Sequence, residues 1–247
     1  MGIVIVSPDP RARKEEELTA LPSNGTAPII CLEGVSAVGK TSLARALAAE
    51  FGAAVVPELD GSGAPPIASA EPWFTERHSE QWLRACALRA AAPLVVIDCD
   101  VLKGLWYNWM HADEGWPGVD VVGPLYREHV RRGSLAFPDL YVFLDASEAQ
   151  LWERRDGDPT RTRRGFESHL RTRAAHRRYF AALQAAAPGR VAFLDTHDRA
   201  SLPGRVAALV PALPSGPPDS HDLLERMIAW VRTHAPDAPA GPRDHAI

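Results

Sequence analysis

Five short apolar runs divide the chain, at residues 29–32, 53–56, 94–97, 140–144 and 191–194, each set off by Gly, Pro or Asp. None alternates apolar with polar, so each predicts a strand covered on both faces rather than one with a wet side. Between them the spacing becomes helical, over residues 41–51, 71–90, 101–110, 125–132, 147–155, 166–186 and 202–210. Residues 112–124 hold two Pro and three Gly and read as a loop, and Asp156-Gly157-Asp158-Pro159 breaks the helix before it. Strand alternating with helix predicts an α/β three-layer sandwich, a five-stranded parallel sheet with helices on both faces. Residues 1–27 are polar and turn-rich, close on Pro22-Ser23-Asn24-Gly25, and read as an N-terminal extension to a domain of residues 28–212. A Pro-rich stretch at 211–218 leads to an amphipathic helix at 222–233, which sets 213–247 apart as a C-terminal helix and tail.

The first strand runs into Gly34-Val35-Ser36-Ala37-Val38-Gly39-Lys40-Thr41, a complete GxxxxGK[ST] phosphate-binding loop (P-loop) that opens a helix. Its glycines permit a turn tight enough to aim successive N–H groups at phosphate oxygens, and the helix N-terminus adds partial positive charge. Residues 34–42, from Gly34 to Ser42, therefore predict an ATP site, with Lys40 bridging the β- and γ-phosphates and the Thr41 hydroxyl ligating Mg²⁺. No NKxD guanine reader or LSGGQ signature is present, and Asp120-Val-Val-Gly123 matches DxxG only inside a Pro/Gly-rich stretch. GTPase and transporter readings are accordingly weak.

Composition narrows the partners. At 247 residues, 46% hydrophobic and 23% charged, the chain can fill one α/β core. A net charge of −4 supplies no global field for nucleic acid or anionic membrane, so neither is expected as a partner. No apolar run approaches the roughly 18 residues of a membrane span. Cys31, Cys86 and Cys99 match no zinc or redox spacing, and the nine histidines form no ligand pattern. Residues 3–6 are too short for a signal core and are followed by Pro8, Pro10 and three glutamates, while Val6 stands where a myristoylation signal requires Ser or Thr. The expected location is cytoplasmic; a homodimer is allowed but not required by anything in the sequence.

Further features accompany the loop: Glu33-Gly34 at its start, Pro57-Glu58 after the second strand, and Ile97-Asp98 at the end of the third. Arg154, Arg155, Arg161, Arg163 and Arg164 then cluster around Gly157, and His176-Arg-Arg-Tyr179 lies on the long helix that follows. In that order they resemble the nucleoside and nucleotide kinase group, which includes the deoxynucleoside kinases and thymidylate kinase. The resemblance implies an arginine-rich lid and transfer of the γ-phosphoryl group of ATP to a nucleoside- or nucleotide-like small-molecule acceptor. It also implies roles: Glu58 as the base that takes the acceptor's proton, Asp98 holding Mg²⁺ through water, and Arg155 and Arg161 as the lid arginines. Trp73, Gln81 and Arg84, on the helix before the third strand, would contact the acceptor beside Glu58. Asp60 is a spare carboxylate, and Asp100 a cap for the helix that follows it. Two departures leave the acceptor open: Cys99 stands where the group has arginine, and the loop after Glu58 lacks the usual arginine. The small antibiotic-phosphorylating P-loop kinases share the loop and the carboxylate after strand two. A nucleotide-binding regulator or ATPase with no small acceptor is the alternative of another class.

Overall fold

The computed structural model describes residues 27–158 and 165–236. In chain order the elements are β1 (Ile29–Glu33), α1 (Lys40–Phe51), β2 (Ala54–Val56), α2 (Ile67–Leu88), β3 (Val95–Asp98), α3 (Lys103–Met110), α4 (Val119–Arg131), β4 (Leu140–Asp145), α5 (Glu148–Asp156), α6 (Phe166–Arg171), α7 (Arg173–Ala186), β5 (Val191–Asp195), α8 (Leu202–Ala207) and α9 (Ser220–Thr233). Every expected strand is present to within a residue. The sheet runs β2-β3-β1-β4-β5 with all neighbours parallel, so the loop-bearing β1 is central.

Alternate residues of each strand feed two cores. Ile29 and Cys31 pack on one side with α2, α3, α4, α7 and α9, while Ile30 and Leu32 pack on the other with α1, α5 and α8. Each buried side chain of Leu or Ile size stabilises by about 1.5–3 kcal/mol, so a one-residue slip of β1 is strongly disfavoured. Beyond residue 212, α9 buries Leu223, Leu224, Met227, Ile228 and Val231 in the first of these cores. The ion pairs Arg127–Glu225 and Asp120–Arg232 tie it to α4.

Three local expectations change. Residues 119–124, expected as loop, form the first turns of α4, because Val122 and Tyr126 are buried in the core. Gly123 is there for spacing rather than turning: a Cβ would come within 3.3 Å of Ile228 on α9. Helix α2 begins at Ile67 rather than 71, and the long helix expected over 166–186 divides at Thr172 into α6 and α7. Among the described residues no helix is long and apolar enough to cross a membrane.

Candidate active site

The P-loop is shaped by backbone that few residues could adopt. Gly34 has φ +130°, and a Cβ on it would run into the carbonyl oxygen of Leu144 on β4. Ala37, at φ 68°, continues the left-handed path. Helix α1 then begins with no side-chain cap, whereas α5 is closed by a full capping box between Ser147 and Gln150. The first-turn amides of α1 are thereby left for a ligand, at the mouth of a cavity of about 880 Å³ lined by residues 35–42 and Arg45. Its far wall carries Arg154, His197 and Arg199. The Lys40 ammonium donates 2.6 Å to the Gly34 carbonyl, which holds its charge over the loop.

Three carboxylates meet at the ends of β1 and β3. Glu33, almost wholly buried, accepts from the amides of Asp100 (2.6 Å) and Gly34 (3.1 Å), with the His176 imidazole 3.4 Å away. Burial works to raise Glu33, but His176, Lys40 and Lys103 outweigh it and hold the carboxyl at about 2. Asp98 lies close enough to the Thr41 hydroxyl to be pulled down by it, yet its Oδ1 is buried with no hydrogen-bond partner among the described residues. Burial pushes Asp98 up, against the pull of Thr41 and Lys40. An orphaned carboxylate oxygen beside a hydroxyl is a fitting donor pair for a hard cation such as Mg²⁺. No described cluster of three His, Cys, Asp or Glu could hold a metal, so water and phosphate oxygens would complete the shell. Asp100, expected to cap the next helix, does not: α3 starts at Lys103 with Leu102 before it and no side-chain cap. Asp100 instead closes a turn onto the Leu102 amide and accepts from Tyr141 Oη and Trp106 Nε1. Burial and the charge of Glu33 push it up to about 7.

Glu58, past the end of β2, lines the nucleotide cavity and two others. One is a small space of about 90 Å³ that also touches Lys40, His169 and His176. The second, of about 280 Å³, has aromatic walls of Phe74, Tyr107 and Trp116 and reaches Glu71, His78 and Asn108. Lys103 lines both, its ammonium 3.7 Å from Glu58 and 5.1 Å from the Tyr107 ring centre. Burial disfavours the Lys103 charge, but Cys99, Glu58 and Glu33 together outweigh that and raise it. A cation thus stands beside Glu58 although position 99 is cysteine.

The other sequence candidates separate. Gln81 lines the aromatic cavity, donating 2.7 Å to the Pro57 carbonyl; Trp73 and Arg84 do not. A spacing of eight turns Trp73 about 80° away from Gln81 around the helix. The cavity stripe is instead Glu71, Phe74, His78 and Gln81, at i, i+3, i+7 and i+10, a pattern present in the sequence. Trp109 is buried in the core, Trp106 is buried but edges the small space, and Tyr107 lines both that space and the aromatic cavity. Asp60 is exposed and closes a turn onto Ser62. Arg155 lays its guanidinium over Trp152 at 4.1 Å and pairs with Asp156, away from the cavities described. It is Arg154 that lines the nucleotide cavity, bonded to the carbonyls of Val38 and Thr196 and to Thr196 Oγ1. Arg161, Arg163 and Arg164 lie outside the described residues.

Solved structures share this architecture. Deoxyadenosine kinase from M. mycoides, with products dCMP and a flexible dCDP bound, superposes with TM-score 0.54 at 12% identity, over 75% of this chain and 100% of that one. The same enzyme with bound dATP gives 0.52 at 12% identity, over 73% and 97%. Thymidylate kinase from Candida albicans gives 0.49 at 14% identity, over 76% and 92%. The fold is that of the P-loop kinases. No family model matches the chain, and no curated protein matches it. Within the P-loop kinase fold, the strand order brings β1 and β3 side by side, and their carboxyl ends form the crevice in which the loop and Asp98 meet.

Proposed function

We propose that this chain is an ATP-dependent kinase that phosphorylates a hydroxyl of a small molecule held in the aromatic cavity. The observation that carries the reading is Glu58: among the described residues it alone lines the nucleotide cavity, the aromatic cavity and the small space joining them. A carboxylate at that junction can reach both an acceptor hydroxyl and the phosphate held by the loop. The P-loop amides and Lys40 bind and align the triphosphate. Mg²⁺, which Thr41 and Asp98 would hold, supplies neutralising charge to the phosphates. Glu58 takes the acceptor's hydroxyl proton as the new O–P bond forms and the bond between the β- and γ-phosphates breaks, leaving ADP. Lys103, beside Glu58, puts positive charge where the phosphoryl group crosses. Positioning and charge stabilisation carry most of such a reaction, and a general base adds about 10²–10⁴ in rate.

The nucleoside- or nucleotide-like acceptor implied by the sequence resemblance is the leading candidate class, with antibiotics and other secondary metabolites beside it. The test is ADP release with ATP-Mg²⁺ across nucleosides, nucleoside monophosphates and hydroxylated antibiotics, run beside Lys40→Ala and Glu58→Gln. Turnover with one acceptor, lost in both variants, supports the kinase. ATP hydrolysis indifferent to every acceptor and unslowed in Glu58→Gln would instead make the chain an ATPase or regulator.

A further inference from the structure

Resting on that kinase reading, the walls of the aromatic cavity narrow the acceptor further. Phe74, Tyr107 and Trp116 enclose it on three sides, with Tyr107 and Trp116 edge to face at 5.2 Å and Phe74 and Trp116 6.0 Å apart. Rings so arranged present electron-rich faces that attract a cation or stack on a flat group.

The polar groups beside the rings offer oxygen acceptors at the Glu71 end. Asn108 Nδ2 donates to Glu71 (2.7 Å) and to the Pro117 carbonyl (3.1 Å), so its amide oxygen is the end left over. Gln81 Nε2 gives one N–H to the Pro57 carbonyl and keeps a second, with Oε1 beside it as an acceptor. Glu71 is 2% exposed and has no cation paired with it among the described residues; burial pushes its carboxyl up, against the neutral donors Asn108, Tyr126 and Thr75. His78 is 5% exposed, and its Nδ1 is buried with no partner among the described residues. The charged groups lining the cavity are Glu58, Glu71, Asp100 and Lys103, and Lys103 is committed to the Glu58 end. With both Asp100 oxygens taken by Leu102, Trp106 and Tyr141, and Lys103 beside Glu58, Glu71 is the carboxyl group of the cavity left without a charged partner among the described residues. Its end offers oxygen acceptors without a donor of positive charge.

We infer that the acceptor carries an amine or guanidine nitrogen, cationic at neutral pH, seated between these rings and against Glu71 while its hydroxyl reaches Glu58. A cation there would pair with the buried carboxylate and meet the amide oxygens of Asn108 and Gln81. A neutral sugar would leave Glu71 without a partner of opposite charge, and a dianionic monophosphate placed at that end would face its charge directly.

The experiment compares matched acceptors with the full chain: glucosamine and aminocyclitols against glucose and inositol, with thymidine and cytidine as neutral nucleosides. Binding is read by calorimetry and turnover by ADP release, in the wild type, Glu71→Gln and Trp116→Leu. Glu71→Gln keeps the shape and the bond to Asn108, and Trp116, only partly buried, gives a second variant should the first not fold. The expected result is that amine-bearing acceptors bind at least about tenfold more tightly than their neutral counterparts, with the preference lost in Glu71→Gln and weakened in Trp116→Leu. Lys40-dependent turnover of a neutral acceptor, equal in wild type and Glu71→Gln, would overturn the inference and leave the kinase standing. Glu71-dependent amine binding without any ADP release would do the reverse. Failure of every amine to bind would also overturn it.

Discussion

The two cavities that meet at Glu58 are built from different material. On the nucleotide side one whole wall is a single short segment, bent by Gly34 and left uncapped at the start of α1, which presents its main chain opposite side chains such as Arg154 and His197. The aromatic side is made of side chains brought from α2, α3 and the turn at Trp116. On the kinase reading proposed above, the difference follows from what each would hold. Triphosphate is the same ligand in every P-loop protein, and backbone amides suffice for it. An acceptor is particular, so its recognition falls to side chains that a substitution can change while the sheet stays intact.

That division makes Glu58, which belongs to both sides, the most damaging place to intervene. Glu58→Gln is expected to lower kcat by about 10²–10⁴ while ATP affinity in calorimetry stays within about twofold. If ATP affinity fell with the rate, Glu58 would belong to the nucleotide side alone and the division would be wrong. Lys40→Ala should follow, lowering the rate of transfer by about 10²–10³, and here ATP binding is expected to weaken as well. Steady-state kinetics beside calorimetry separates the two patterns.

The same contrast explains what could be read from the sequence. The P-loop is contiguous, with each residue type dictated by fixed geometry, and the five strands are apolar runs too short to be anything else; both could be read directly. The aromatic cavity depends on which face α2 turns inward. A choice guided by residue type picked Trp73 with Gln81, whereas the stripe through Glu71, Phe74, His78 and Gln81 follows the helical repeat. Lys103 was hidden because the cation beside Glu58 arrives from the next helix rather than from position 99. Residues 119–124 misled because Pro and Gly, turn formers by habit, here serve a helix that must let α9 come close.

Between the cavities and the core lies a pH-dependent element that sharpens the comparison. Asp100 sits under Trp106 and Tyr141 with its folded pKa raised to about 7 from an ordinary 3.8. The folded protein therefore holds this proton more tightly than the unfolded chain. Asp100's favourable contribution is complete below about pH 4 and lost as pH rises through 7, a change on the order of a few kcal/mol. Asp100→Asn should flatten the fall in Tm between pH 4 and 7. An unchanged slope would mean that another group carries it.

The smallest effects are expected at the two neighbouring arginines of α5, and they test where the nucleotide side ends. Arg154 is tied to Val38 within the P-loop and to Thr196 beyond β5, so it braces the loop against the sheet. Arg154→Ala should cost about 1.5–3 kcal/mol of stability, since these are hydrogen bonds from a charged donor, and should weaken ATP binding with it. Arg155 is one residue on but faces another way, stacked on Trp152 and Phe166 and paired with the exposed Asp156. A stack and ion pair at the surface contribute less than about 1 kcal/mol, so Arg155→Ala should leave Tm nearly unchanged and kcat within about twofold. A tenfold fall in kcat with the KM for ATP unchanged would show that the Arg155 guanidinium leaves its stack during turnover and reaches the phosphoryl group. The lid role that the arginine cluster implies would then belong to Arg155, with Trp152 and Phe166 as its resting place.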